Sequence, residues 1–235
     1  MQLCLFTAAA DGGVPAPDVP TLRQAAVDGT GLQQIIVHRA IASATGLDPR
    51  ISEKSDAPAW VVQWYFDALD ALEHAARDGG PIQRALASSL PAPHHAALST
   101  YQVMGVRRYT LAAPAPARDA SSRCSYLVTY EGPAQDPHAW LSHYLAHHPP
   151  LMRELPGLRE LEIYTRVDSA TSLPFTRSDA MQRNKVVFDD PAALAVALAS
   201  PIRDAMRRDF NALPPFAGGT PHCAMHSTYC NLLAQ

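Results

Sequence analysis

The sequence predicts an α+β fold in which one unit is written twice in a single chain, and three observations predict it. The chain has 235 residues, 47% of them apolar and 17% charged, which suits a fully globular protein with room for two cores. Segments of strand period and helix period alternate in the order strand, helix, strand, strand, helix, strand. An internal repeat keeps that order in both halves.

The repeat is read from matched residues. Gly31 to Arg39 reads against Gly157 to Thr165, and Ser43-Ala44-Thr45 against Ser169-Ala170-Thr171, with Leu47 matching Leu173. Ser55-Asp56-Ala57 answers Ser178-Asp179-Ala180, Phe66-Asp67 answers Phe188-Asp189, and Pro81-Ile82 answers Pro201-Ile202. The offset drifts from about 126 to about 120 residues, an order that chance matches would not keep. The seam falls in the Pro/Ala stretch 114–120, of the stiff, extended linker kind. The expected units are residues 1–113 and 121–235.

The second copy shows its elements best. Tyr126, Val128 and Tyr130 alternate with polar neighbours, giving a period-two strand. Asp136-Pro137 supplies an N-cap and a first-turn proline for a helix through about His148. Pro149-Pro150 is expected to stop that helix, or restart it for one short turn over 151–155. A second strand runs over about 157–167, a Ser/Thr/Pro loop over 169–179, and a third strand over 181–188. Asp190-Pro191 and Ser200-Pro201 are two further helix starts, so the next helical region comes in two pieces. Ile202, Ala205, Met206, Phe210 and Leu213 share one face of the second piece. An alternating strand over about 222–229 closes the unit. In the first half, the corresponding first helix is about 20–28. Trp60, Val62, Trp64 and Phe66 alternate with Ala59, Val61, Gln63 and Tyr65, a strand buried on both faces whose tryptophans read as core rather than as a ligand cage.

That element order is the ferredoxin-like split βαβ, whose antiparallel sheet carries helices on one face and leaves the other needing a cover. Two copies can cover each other's open faces. The expected architecture is therefore tandem ferredoxin-like units forming an intramolecular dimeric α+β barrel: a monomer by internal pseudo-dimer, with a further homodimer as the alternative.

Composition excludes several functions. Net charge is −3 with pI near 6.3. The 19 basic residues are scattered, so no nucleic-acid partner and no membrane-surface helix is expected. No apolar run approaches the roughly 20 residues of a membrane span. Met1 to Phe6 lacks the basic flank of a signal peptide, so the expected location is cytoplasmic. Cys4, Cys124, Cys223 and Cys230 are far apart and read as buried, reduced thiols. Two lysines against seventeen arginines, beside abundant Ala and Pro, suggest a GC-rich bacterial coding sequence. No phosphate loop, nucleophile elbow or dinucleotide fingerprint occurs.

Tyr144-Leu145-Ala146-His147-His148-Pro149-Pro150-Leu151, followed by Leu155-Pro156-Gly157-Leu158, resembles the EthD family of the dimeric α+β barrel superfamily. That family carries Tyr-x-x-x-His-x-Pro-Leu and then Leu-Pro-Gly-Leu before its second strand. Phe188-Asp189 and Asp209-Phe210 look like its later positions. The resemblance covers about residues 124–230; the first half is a degenerate version without the histidine. The family is named for a protein linked to ether degradation and includes relatives that modify aromatic polyketides. Its superfamily holds cofactor-independent monooxygenases, lactone isomerases, dehalogenases, cyclases and haem enzymes. The resemblance thus implies a small, largely apolar organic ligand and leaves the reaction open.

Spacing then picks the candidate residues. On the helix 137–148, Trp140, Tyr144 and His148 form an i, i+4, i+8 stripe on the buried side. His148 would sit at the helix C-terminus, where the dipole favours imidazolium and burial opposes it, a balance suited to an acid/base group. The alternative is a histidine that anchors the following turn. In the second strand Glu162, Tyr164 and Arg166 share the face expected to look into the barrel. Ile36, His38 and Ala40 would do so from the first half, placing His38 and Tyr164 at equivalent positions. His148 is the expected catalytic group, with Tyr164, His38, Tyr144, Glu162 and Arg166 as substrate-binding groups.

No metal is expected. His143 and His147 have the i, i+4 spacing for zinc, but no third ligand is apparent. His222 and His226 lie on a strand about 13 Å apart, too far to share an ion. His94-His95 sits in a proline-rich loop. Haem, on His148 or His38, is the superfamily's alternative to no cofactor. The expected function is a cofactor-independent enzyme working by acid/base chemistry on a small apolar or aromatic molecule, as an isomerase, dehydratase or monooxygenase. A non-catalytic carrier and a structural barrel with a filled core are the alternatives.

Overall fold

The structure is a computed structural model that describes residues 1–9, 15–26, 31–41, 48, 58–90, 99–111 and 122–232. The seam at 114–120, the repeat segments 43–47 and 55–57, and His94-His95 lie outside the described residues.

Before the seam the chain forms β1 (Leu3–Ala9), α1 (Val19–Ala26), β2 (Leu32–Ala40), β3 (Trp60–Phe66), α2 (Leu69–Ala75), α3 (Pro81–Ser89) and β4 (Ser99–Arg108). After it come β5 (Ser122–Tyr130), α4 (Pro137–Met152), β6 (Glu160–Arg166), β7 (Thr176–Arg177), β8 (Gln182–Phe188), α5 (Pro191–Ala199), α6 (Ile202–Ala212) and β9 (His222–Asn231). The short β7 lies inside the expected loop and pairs in parallel with β4.

The strands run in the order β1-β3-β2-β9-β5-β8-β6-β4, and β4 pairs back onto β1. The result is a closed barrel of eight antiparallel strands. Each half contributes four neighbouring strands, and two seams join them. At one, β2 pairs with β9 from Gln34↔Asn231 to Ala40↔Met225; at the other, β4 pairs with β6 from Met104↔Arg166 to Arg108↔Glu162. Both halves bend into their second strand through a glycine of positive φ, Gly31 (88°) and Gly157 (75°).

Because side chains alternate across a strand, each half has an outer and an inner face. Outside, α1–α3 cover Leu5, Ile35, Val37, Trp60, Val62 and Trp64, while α4–α6 cover Tyr126, Val128, Leu161, Ile163 and Val186. Inside the barrel a third cluster gathers Cys4, Phe6, Ile36, Val61, Tyr65, Met104, Val106, Tyr164 and Met225. Trp60 and Trp64 are therefore core of the outer layer.

The helix starts follow their caps: Asp136 accepts from Ala139 N at 2.9 Å and Asp190 from Ala193 N at 2.8 Å. The expected stop at Pro149-Pro150 does not occur, and α4 runs unbroken to Met152 with both prolines inside it. Pro149 and Met152 are buried, Met152 in the core of the second half, and the Pro149 carbonyl still accepts from Arg153 N at 3.0 Å, so packing carries the helix one more turn. Among the described residues no helix is long and apolar enough to cross a membrane, and the four cysteines are free thiols.

Candidate functional site

The predicted site residues divide between two places on opposite sides of the sheet. His38, Glu162 and Tyr164 face the barrel interior, as the strand alternation requires. His148 and Tyr144 lie outside, between α4 and the sheet of the second half. Arg166 is exposed at the barrel end and pairs loosely with Asp179 at 3.4 Å. The expectation that His148 and the strand residues share one barrel pocket is therefore corrected. α4 packs on the outer face of β6, and Glu162 and Tyr164 point through to the inner one.

The inner face is filled by a hydrogen-bonded chain of the protein's own side chains. Lys185 Nζ lies 2.9 Å from Glu162 Oε2 and donates to Tyr65 OH at 3.0 Å. Tyr65 OH donates to Glu162 at 2.7 Å, Tyr164 OH donates to the same carboxylate, and Arg108 Nε holds its other oxygen at 2.6 Å. Gln63 links onward, donating to Tyr164 OH at 2.8 Å and accepting from His38 Nε2 at 2.8 Å. His38 Nδ1 meets Ser227 Oγ at 2.7 Å, and Ser227 meets Ser125 at 2.7 Å.

Burial pushes Glu162 up, but Lys185 and then Arg108 outweigh it and hold the carboxyl at about 2. Burial would lower Lys185, yet Glu162 keeps it well above the usual lysine range. The pair is ionised. His38 is held at about 3 by burial and then by Lys185, so its ring is neutral. Buried charges so completely paired are structural in form.

The outer cleft of the second half is different. A cavity of about 40 Å³ lies between β5, β8 and the helices α4–α6, lined largely by apolar groups such as Val128, Met152, Leu194 and Met206. Its polar wall is His148, Asn184, Tyr126, Arg203 and His222. Asp209, near the end of α6, approaches His148 Nδ1 with Oδ2 at 2.7 Å. That contact commits Nδ1 and leaves Nε2 as the ring nitrogen open to chemistry. Burial lowers the His148 pKa, and the Asp209 hydrogen bond opposes the shift without cancelling it. The expected dipole effect is weak because α4 continues a full turn beyond His148.

Tyr144 backs this wall. It stacks on Trp140 at 5.3 Å, lies 5.0 Å from the His148 ring, and accepts from Asn184 Nδ2 at 2.9 Å. Asn184 Oδ1 is buried with no hydrogen-bond partner among the described residues, an acceptor at the cavity wall awaiting a donor. The first half also reaches this cleft: Asp48 accepts from Tyr126 OH at 3.0 Å and from Arg203 Nη2 at 2.6 Å.

Haem fits neither place in this conformation. Both ring nitrogens of His38 are engaged inside the filled barrel, and the space beside His148 is far smaller than the macrocycle.

No family model matches the chain, and no curated protein matches it. Solved structures do. A candidate monooxygenase of Fusobacterium nucleatum subsp. nucleatum is similar at TM-score 0.57 and 6% identity, over 98% of this chain and 94% of that one. An anthrone oxidase-like protein is similar at TM-score 0.59 and 12% identity, over 98% and 92%. A candidate monooxygenase of Lactobacillus acidophilus is similar at TM-score 0.56 and 8% identity, over 98% and 96%. The fold is the dimeric α+β barrel carried on one chain. At these identities the likeness shows the fold alone. An EthD family protein of Bacillus halodurans aligns at 25% identity over 41% of this chain and 97% of its own, with a TM-score of 0.33. That is too low to carry the EthD resemblance beyond its motif.

Sequence reasoning missed Asp209, Asn184 and Lys185 as members of these clusters. Asp209 was visible only as a family-like helix end, 61 residues from His148. Lys185, one of two lysines, stood in a strand at an inward position, which was the available signal.

Proposed function

We propose that the chain is a cofactor-independent enzyme that removes a proton from a small, largely apolar molecule in the outer cleft of its second half. The observation that carries this reading is the His148–Asp209 pair at the wall of an apolar cavity. Asp209 is the positioning residue and fixes the imidazole. His148 Nε2 is the base, neutral at pH 7 because burial disfavours its charged form. Asn184 Oδ1 would accept a hydrogen bond from a substrate hydroxyl.

At about 40 Å³ the cavity admits a water molecule or two, so a ring-sized substrate requires side chains to move. Met152 and Met206, unbranched and adaptable, line it, and the Asp48 contacts to Tyr126 and Arg203 close one side. Opening there is the step that admits substrate.

Enolisable aromatic ketones are the substrate class that suits an apolar wall with one base, and Arg203 Nε, a buried donor with no hydrogen-bond partner among the described residues, is on the same wall to meet the enolate oxygen. Deprotonation gives an electron-rich enolate that reacts with dioxygen directly. The balanced outcome at a methylene is CH2 + O2 → C=O + H2O. The name of the anthrone oxidase-like neighbour makes anthrone the first probe.

The test is oxygen uptake by the purified chain with anthrone, alongside anthraquinone formation. Stoichiometric uptake that falls about 100-fold or more in His148→Gln, with the variant still folded by circular dichroism at the assay temperature, supports the reading. Saturable anthrone binding without turnover would instead make the protein a carrier. Absence of both would return it to a structural barrel.

A further inference from the structure

We infer that His143, His147 and Asp209 form a binding site for one divalent transition-metal ion of the zinc class on the outer side of the α4–α6 pair. The site shares Asp209 with the His148 pair, through its other carboxylate oxygen, and its test reads metal binding without any reference to turnover.

His143 and His147 lie one turn apart on α4, with ring centroids 4.4 Å apart. Asp209 comes from α6, and one ligand atom from each of the three residues falls within 4.8 Å of the others. Spacing along α4 had offered two imidazoles and no third ligand; the packing of α6 supplies the missing carboxylate. Two imidazoles and one carboxylate from two neighbouring helices are a donor set that zinc accepts readily, with remaining positions left to water.

Three details favour an ion over a chance cluster. His143 Nε2 is buried and makes no hydrogen bond among the described residues, although Asp209 Oδ1 is 3.3 Å away. That separation is about the edge of a tetrahedron with 2.0–2.1 Å metal bonds. His147 Nδ1 is 2.8 Å from the His143 carbonyl, so Nδ1 carries the proton and Nε2 presents a lone pair. A backbone carbonyl holding the non-ligating ring N–H is the usual outer support of a ligand histidine. Finally, Asp209 is held from behind: Oδ2 meets His148 Nδ1, leaving Oδ1 on the His143 side. His147 is exposed, so the third ligand can swing inward and solvent can complete the shell.

Zinc titration of the untagged, full-length protein against a chromogenic chelator tests the site. One ion per chain with a micromolar or tighter Kd is expected. Cobalt(II) should give the visible d–d bands of a low-symmetry site. His147→Ala should weaken zinc binding about 100-fold while the metal-free protein keeps its circular dichroism and unfolding midpoint. His143→Ala should do the same, and His138→Ala, on the same helix outside the cluster, should bind like the parent. Binding weaker than about 100 μM, or affinity unchanged in both His147→Ala and His143→Ala, would overturn the inference.

Discussion

His148 Nδ1 and Asp209 Oδ2 meet at 2.7 Å and tie the last turns of α4 to the end of α6. Both side chains are nearly buried, so the contact forms where water competes little with it. Asp209→Asn keeps the shape and removes the charge. Hydrogen bonds to charged groups contribute about 1.5–3 kcal/mol, so a stability loss of about that size is expected by urea unfolding. If Asp209 positions a base, kcat with the anthrone probe falls while KM changes little. Equal loss in kcat and gain in KM would show a purely structural contact.

The buried histidines predict the pH dependence of folding. His38 titrates at about 3 and His222 at about 4 in the folded chain, both lowered chiefly by burial, against about 6.5 when unfolded. As pH falls below about 6.5 the unfolded chain takes up these protons first. The stability present above that pH is lost through the window down to about 3–4. Each group removes at most about 1.4 kcal/mol per pH unit. Glu162, held at about 2, gives up its share of stability only as pH falls from about 4.5 towards 2, and so leaves pH 5–6.5 to the histidines. His38→Gln should therefore lose about 2 kcal/mol less than the parent between pH 7.5 and pH 5, by urea unfolding at each pH. An identical loss in both proteins would refute the assignment.

The same strand logic explains what the sequence disclosed and what it hid. Alternation placed Leu161 and Ile163 against helices and Glu162, Tyr164 and His38 inside, because the pleat fixes that from local order alone. The Asp-Pro pairs at 136–137 and 190–191 marked helix starts because a cap is a contact within three residues. The end of α4 was misjudged because its prolines are local while the packing of Met152 on the sheet is not. Asp209 with His148, and Asn184 with Tyr144, depend on how α6 and β8 dock, information carried by tertiary packing. Whether the barrel was open or filled turned on Lys185 and Gln63 reaching the same interior from different halves.

The interior ion pair gives a third prediction. Lys185 is fully buried, and Glu162 is held by Lys185, Arg108 and two tyrosine hydroxyls. Removing one partner of a buried pair typically costs about 3–5 kcal/mol. Lys185→Met should fall near the lower figure because Arg108 still faces Glu162. Glu162→Gln should cost at least as much, since among the described residues the carboxylate left to Lys185 is the more distant Glu160, at 3.6 Å. The double variant should lose clearly less than the sum, by urea unfolding in a double-mutant cycle. Strict additivity would mean that the two charges do not stabilise each other.

The two entry glycines separate backbone strain from steric conflict. Gly31 and Gly157 occupy matching places before β2 and β6, and both have positive φ, so alanine at either costs about 1–2 kcal/mol from the left-handed backbone. Their surroundings differ. A Cβ on Gly157 would find only Phe188 Cδ1 at 4.0 Å, whereas one on Gly31 would meet Ala71 Cβ at 2.8 Å. Gly31→Ala should therefore be the more damaging by about 1–3 kcal/mol, the usual penalty for overpacking. Gly157→Asn should be milder than Gly157→Ala because asparagine tolerates positive φ. Ala71→Gly removes the colliding methyl at a cost of about 1 kcal/mol in helix α2, so combined with Gly31→Ala it should destabilise less than the sum of the two. Chemical unfolding of the five variants checks the order. A Gly31→Ala protein as stable as Gly157→Ala would show that α2 yields freely and that the close approach at Gly31 does not constrain the first half.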